Sequence, residues 1–142
     1  MNLIFPQELM SFNDALKTAD GQLKFAHSLF DVLYGTDSEE IRFGRYVDVL
    51  GTIGCLKWTT VTFFQFLATN GDAVFMKPSV AKVFAPAVGV ELNYSTTPRW
   101  ITYEKLSETS GMVRQRLVAK GWKPRHGMDI QSFMYRAWDQ TK

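Results

Sequence analysis

Cysteine and histidine are almost missing from this chain. Its 142 residues contain one cysteine, Cys55, and two histidines, His27 and His126, that lie far apart in the sequence. A single cysteine excludes an internal disulfide and favours a reducing compartment such as the cytoplasm. One cysteine and two distant histidines are also too few to form the usual cysteine and histidine sets of a metal site. We therefore expect neither a metal nor a cofactor.

Long apolar runs are missing as well. No stretch approaches the ~18 to 20 apolar residues that cross a bilayer, which predicts a protein with no membrane role. The N-terminus lacks the basic segment and the long apolar segment of a signal peptide, which agrees with a cytoplasmic location. The sequence also has no serine–histidine–acid set, phosphate-binding loop, dinucleotide fingerprint or paired-carboxylate signature. The common enzyme classes that carry these motifs are not indicated.

The chain is rich in large apolar side chains. It is 46% hydrophobic and 14% aromatic, with eleven Phe, five Tyr and four Trp, and its net charge is only +2. Such a composition favours a folded core over disorder, and the length predicts a single domain over residues 1–142. Some aromatic side chains are left over for a binding surface.

Charge is distributed unevenly along the chain. Residues 1–50 hold four Lys or Arg against eight Asp or Glu, whereas residues 99–142 hold nine against four. The plain interpretation is a set of ordinary solvated helix faces. The sharper interpretation is a basic C-terminal face that meets an acidic partner such as nucleic acid.

Apolar residues recur at helical spacing through most of the chain, which predicts an all-α protein. We expect a compact orthogonal bundle of six or seven helices with little strand. Residues 57–68 are rich in β-branched and aromatic residues and are open to a strand interpretation. We favour a helix at the centre of the domain, because apolar positions fill all of its faces. The predicted helices are residues 6–19, 22–34, 38–50, 57–68, 78–88, 98–119 and 129–138.

Two local features refine these helices. We expect Asp20-Gly21 to separate the first two, and Pro86 to kink or stop the fifth near Ala85. His27, near the expected apolar face of the second helix, is interpreted as a structural histidine at the core edge, with a catalytic base as the alternative. The expected inward face of that helix consists of Leu23, Ala26, Phe30 and Leu33, widened by Phe25 and Leu29.

Residues 50–89 contain a distinctive succession of short pieces. The pieces are LGTIG at 50–54, Lys57 before Trp58-Thr59, an apolar stretch at 61–67, and Lys77-Pro78-Ser79 opening a helix that ends at Val88-Gly89. In order and spacing this segment resembles the core of the helix-hairpin-helix DNA glycosylase superfamily. The resemblance implies a hairpin whose glycines let the backbone approach a DNA phosphate, with the target base rotated out of the duplex.

The departures from that family bear on catalysis. Where the family has its essential Asp, this chain has Lys77-Pro78-Ser79, and the nearest acid is Asp72. Lyase members use an attacking lysine in the hairpin, and Lys57 is the residue in that region. The resemblance therefore implies DNA binding without catalysis as the leading hypothesis. An active glycosylase or lyase that uses Lys57 is a further alternative.

The leading hypothesis predicts contacts to the backbone phosphates of double-stranded DNA. A protein-interaction or regulatory module with no nucleic-acid role, phage-encoded or homodimeric, is the rival hypothesis, motivated by the acidic first half and the surplus of aromatics. Trp100 and Trp122 are the tryptophans expected nearest the surface. The predicted phosphate-binding residues are Gly51, Gly54, Lys57, Lys77, Arg99, Lys123 and Arg125.

Overall fold

The protein is all-helical, as predicted. The computed structural model describes residues 3–142, and within that range it contains seven α-helices and no β-strand. Most helix bounds lie within two residues of those expected from the sequence. The helices are α1 (Pro6–Ala15), α2 (Ala19–Tyr34), α3 (Glu39–Thr52), α4 (Trp58–Ala68), α5 (Pro78–Ala87), α6 (Trp100–Ala119) and α7 (Gly127–Asp139).

Helix α4 lies at the centre of the molecule. Seven of its eleven residues are buried, and α1, α2 and α3 all pack against it. Its helical conformation confirms the choice of helix over strand for this segment. A helix with apolar side chains on every side removes the most apolar surface from water when other helices surround it, which explains its central position.

The boundary between α1 and α2 differs from the prediction. The Thr18 hydroxyl accepts a hydrogen bond from the Gly21 N–H at 3.0 Å, so α2 begins at Ala19. Asp20 and Gly21 therefore lie in the first turn of α2 and do not separate α1 from α2. An acidic residue is favourable there because it faces the positive end of the helix dipole.

The inward face of α2 also differs from the prediction. Leu33 packs against the core, but Leu23, Ala26 and Phe30 are exposed. His27 is exposed too, so its interpretation as a histidine at the core edge is wrong. The helix has apolar residues on two faces, and the inward one consists of Gly21, Phe25, Ser28, Leu29, Val32 and Leu33.

Aromatic contacts explain which face of α2 turns inward. The ring of Phe25 packs against Phe12 of α1 and Phe64 of α4, with centroids 5.1 and 5.2 Å away. These three rings join α1, α2 and α4 in one cluster. Edge-to-face contacts of this kind add to the burial of apolar area, so the Phe25 face is favoured over the Phe30 face.

A close backbone approach positions α7. The Met128 N–H donates to the Asn70 carbonyl at 3.1 Å, which brings the start of α7 to the end of α4. At this contact Gly71 and Gly127 lie so close that a Cβ on either would overlap the backbone of the other. Ile130 is consequently held in the core.

Helix α5 ends close to a proline and a glycine. Pro86 lies inside α5, which ends at Ala87, two residues beyond the expected stop. The chain then reverses at Gly89, where φ is 80°. Pro86 removes the N–H that would bond the carbonyl four residues earlier, and α5 ends one residue after it.

Candidate nucleic-acid interface

The turn between α3 and α4 is closed by glycine geometry. The Cys55 N–H donates to the Leu50 carbonyl at 3.0 Å, and the Gly54 N–H donates to the Gly51 carbonyl at 3.3 Å. Gly54 has a φ of 85°, which an L residue rarely adopts. This pair of bonds is the Schellman ending of a helix. Both amides are therefore used in the turn and do not point to a ligand.

A threonine fixes the start of α4. The Lys57 N–H donates to the hydroxyl of Thr60 at 3.1 Å, and that hydroxyl lies 2.6 Å from the Cys55 carbonyl. These contacts hold the chain as it enters the helix. The first N–H groups of α4 have no acceptor within the helix, as at every helix start, and they form the positive end of its dipole.

The outer side of this turn is open. Gly51, Gly54 and Lys57 are all exposed. A Cβ placed on Gly54 would meet nothing within 4 Å, and one placed on Gly51 would meet only the Leu56 side chain at 3.5 Å. The structure thus brings three of the predicted residues together at a surface where a second molecule has room to approach the backbone.

Arg99 lies four residues after Ser95, on a segment that is bonded to the start of α4. The Trp58 indole N–H, at the start of α4, donates to the Ser95 carbonyl at 2.6 Å and so joins the two segments. The Arg99 guanidinium donates to the Asn93 carbonyl at 2.9 Å and to the Thr102 hydroxyl at 3.4 Å. Arg99 is exposed and carries its charge to the surface while it braces this segment.

Lys77 is in a different environment. Its side chain is only 6% exposed, and its ammonium lies 5.1 Å from the Phe5 ring centroid and 5.3 Å from that of Tyr135. Burial, followed by the nearby charge of Lys142, lowers the pKa of Lys77. This placement does not fit the predicted phosphate contact, because a phosphate would have to displace the aromatic rings that cover the ammonium.

Lys123 and Arg125 lie beyond the far end of α6. This helix has 20 residues, so Arg99 at its start and Lys123 past its end are separated by about 30 Å along the helix. The Arg125 backbone N–H donates to the Asp129 carboxylate at 2.8 Å, and this bond, with the Arg125 guanidinium, lowers the pKa of Asp129. The structure does not bring these two residues to the α3–α4 turn.

A cavity of about 320 Å³ opens among α2, α3, α4 and α6, and the sequence did not signal it. Phe43 and Tyr103 stack in its wall with centroids 4.9 Å apart, and Trp100 meets Phe43 edge-on at 5.7 Å. Burial raises the pKa of Tyr103 to about 12. The carboxylates of Glu39 and Asp72 also line this cavity. Because four separate helices supply its lining, no local motif marked it in advance.

A smaller cavity of about 230 Å³ lies where α6 turns into α7. It is lined by Trp122, which is exposed as expected, and by Lys123. Lys57 lines neither of the two cavities. The predicted catalytic residue is therefore placed at an open surface and not beside an enclosed substrate site.

No group of three or more His, Cys, Asp or Glu side chains in residues 3–142 is arranged to hold a metal ion. None of the helices over the same residues combines the length and the apolarity that crossing a membrane requires.

Comparisons with protein-family models, with curated proteins and with solved structures give no match to this chain. No relative therefore supplies a function. The geometry of the α3–α4 turn and the residues around it are the basis for inferring a function.

Proposed function

We propose that this protein binds the phosphate backbone of double-stranded DNA through the α3–α4 turn, residues 51–57, without sequence specificity and without catalysis. The observation that carries the proposal is the open surface over Gly51 and Gly54, with Lys57 exposed beside them. Because the Gly54 and Cys55 amides are bonded within the turn, the glycines give a phosphate room to approach, and Lys57 supplies the charge that binds it.

The electrostatics of the turn suit an anion on the side of Lys57. The dipole of α4 places partial positive charge at its first residues, next to Lys57, whereas the end of α3 places partial negative charge near Gly51. Arg99 adds a second exposed positive charge on the segment that Ser95 joins to the start of α4. Contacts of this kind position a protein on DNA but do not read its bases, which is why we propose binding without sequence preference.

The placement of Lys57 favours phosphate contact over covalent chemistry. A Schiff-base nucleophile needs an unprotonated amine, which proteins obtain by burying the lysine or by placing another cation beside it. Lys57 is exposed and lines neither cavity. We expect borohydride to trap no adduct with DNA that contains an abasic site. An adduct that forms with the natural chain and disappears in Lys57→Ala would support the lyase alternative.

A DNA titration tests the proposal directly. Fluorescence anisotropy with a labelled duplex is measured at about 50 and 200 mM salt, and we expect micromolar or tighter binding at the lower salt that weakens steeply at the higher. Lys57→Ala should weaken binding to all sequences alike and reduce the slope of log K against log salt by about 1.

Lys123→Ala is the matched control for that variant. Lys123 is also an exposed lysine, but it lies beyond the opposite end of α6. We expect its DNA affinity and salt slope to equal those of the natural chain. Equal losses in both variants would indicate diffuse electrostatic attraction, and a flat titration at low salt would reject DNA binding altogether.

One observation favours the rival role of protein binding. The outer face of α2 exposes Leu23, Phe30 and Tyr34, and large apolar side chains grouped on a surface commonly mark a contact with another protein. This surface and the α3–α4 turn involve different residues, so each is open to mutation without altering the other.

A further inference from the structure

We infer that two copies of this chain associate through the outer face of α2, with the two helices antiparallel about a two-fold axis. The residues concerned are Leu23, His27, Phe30 and Tyr34, named here the outer row. They recur at intervals of four, three and four, so they follow one line along the helix. The opposite line contains Gly21, Ser28 and Val32, which are buried, so the outer row is directed away from the core.

The outer row is apolar and strongly exposed. Leu23, Phe30 and Tyr34 are 59%, 66% and 67% exposed, and the Phe30 and Tyr34 rings lie 5.2 Å apart on adjacent turns. The exposed Ile41 lies on α3, one turn before Arg45, which reaches across to Asp31 of α2. The patch therefore extends from α2 to the start of its neighbour.

The size of this patch suits the centre of a modest dimer interface. A large aromatic side chain buries roughly 150 to 250 Å². The exposed parts of Phe30, Tyr34, Leu23 and Ile41 therefore amount to roughly 400 to 500 Å² of apolar surface. A standard interface covers about 800 Å² on each partner, of which a little over half is apolar. The patch and its polar surroundings match those proportions.

The shape of the outer row favours the antiparallel arrangement. Phe30 and Tyr34 lie toward the C-terminal end of the helix, and Leu23 and His27 precede them. Antiparallel pairing centred between residues 28 and 29 places Tyr34 opposite Leu23 of the second copy. The same register places Phe30 opposite His27. Large side chains then meet smaller ones, as close packing requires, whereas parallel pairing would place each ring opposite itself.

The charges beside the outer row agree with this register. Lys24 and Asp31 lie two turns apart on one flank of α2. A two-fold axis perpendicular to the helices keeps that flank on the same side in both copies and reverses its direction. Lys24 of each copy, which pairs with Asp20 in its own chain, therefore lies near Asp31 of the other, which pairs with Arg45. The register thus places opposite charges near each other at the rim and brings no like charges together there.

Light scattering after size exclusion tests the association. Over roughly 1 to 300 µM we expect a mass that rises toward twice the 16.2 kDa of one chain. Phe30→Glu should raise the dissociation constant at least tenfold, since a charge replaces the central aromatic contact. The fold should persist because Phe30 is exposed, and circular dichroism checks this. A monomer at every concentration overturns the inference.

Ile101→Glu is the matched control for Phe30→Glu. It also replaces an exposed apolar residue, but on the first turn of α6, where an acidic side chain is compatible with the helix dipole. We expect its dissociation constant to equal that of the natural chain. If both variants weaken association equally, or if neither does, the contact is not made by the outer row.

Distances between spin labels test the orientation. Labels are placed at Gln22→Cys or Ala26→Cys, both on the exposed flank opposite Lys24, and the buried Cys55 does not compete for the reagent. In the proposed register the two Ala26 positions are offset along the helices by about 7.5 Å and the two Gln22 positions by about 20 Å. We expect the longer distance at Gln22. Equal distances at the two positions would indicate parallel helices and overturn the antiparallel pairing.

Discussion

Substitutions at two glycines of α3 distinguish an effect on stability from an effect on the proposed DNA binding. Gly44 and Gly51 are both exposed and both helical. A Cβ on Gly44 would meet nothing within 4 Å, and one on Gly51 would make only an ordinary contact with the Leu56 side chain at 3.5 Å. Replacing either glycine with alanine therefore introduces no clash.

Both alanine variants should stabilise the fold. Glycine in a helix costs roughly 0.5 to 1 kcal/mol relative to alanine, because the unfolded chain loses more conformational freedom when it folds. We expect each variant to raise the free energy of unfolding by about that amount, with Gly51→Ala at the lower end because it lies in the last turn of α3. For a chain of this length the corresponding rise in melting temperature is about 2 to 4 °C.

The two variants should differ in DNA binding. The methyl group of Gly51→Ala stands on the open surface of the α3–α4 turn, where a phosphate would approach, whereas Gly44 lies seven residues away along α3, about 10 Å. The methyl group would hold the phosphate away from the Lys57 ammonium, and losing one charge-assisted contact of this kind corresponds to about 1.5 kcal/mol, or a tenfold rise in the dissociation constant. We expect that rise for Gly51→Ala and no change for Gly44→Ala.

Urea unfolding and duplex titration of the same samples check both expectations. Gly54→Ala completes the set, because its φ of 85° makes alanine unfavourable there by about 1 to 2 kcal/mol. A Gly51→Ala protein that is stabilised yet binds DNA as tightly as the natural chain would refute the proposed contact. A Gly44→Ala protein that is no more stable would refute the stability argument.

Three further predictions concern the fold. Gly127→Ala should destabilise the protein by about 3 kcal/mol, since the new Cβ overlaps the Gly71 carbonyl and forces α7 away from α4, and an unchanged urea midpoint would contradict that contact. Thr62→Val should cost about 1 to 3 kcal/mol in thermal unfolding, because it leaves the buried Met76 N–H without its acceptor at 3.0 Å. The lowered pKa of Asp129 means that its ionised form stabilises the fold above the ordinary value of 3.8 and that this contribution is lost as the pH falls further. Asp129→Asn should therefore be less stable than the natural chain at pH 7, with a smaller difference near pH 3, and a difference independent of pH would contradict this reasoning.

The start and end of each helix follow mainly from local sequence signals. The Ser38 hydroxyl accepts from the Ile41 N–H as expected of an N-cap, and the positive φ of Gly54 ends α3. Such signals act within a few residues, so they can be recognised in the sequence. The prediction for Asp20-Gly21 was wrong because Thr18 caps the next helix directly.

The position of Lys77 illustrates what local signals omit. The sequence places it before a helix start, which is a plausible position for a phosphate contact. The rings that cover it, Phe5 and Tyr135, come from opposite ends of the chain. Its burial depends on the packing of both terminal segments, so the sequence around Lys77 contains no sign of it.

The sequence alone determined that this protein is helical and approximately where each helix begins, because periodicity and capping are properties of neighbouring residues. Only the tertiary structure decided which apolar face of α2 is buried, since that choice depends on the contact of Phe25 with Phe12 and Phe64. The same packing separates Lys123 from the α3–α4 turn and leaves the outer row exposed. Surfaces assembled from distant parts of the chain are set by packing, and no local pattern specifies them.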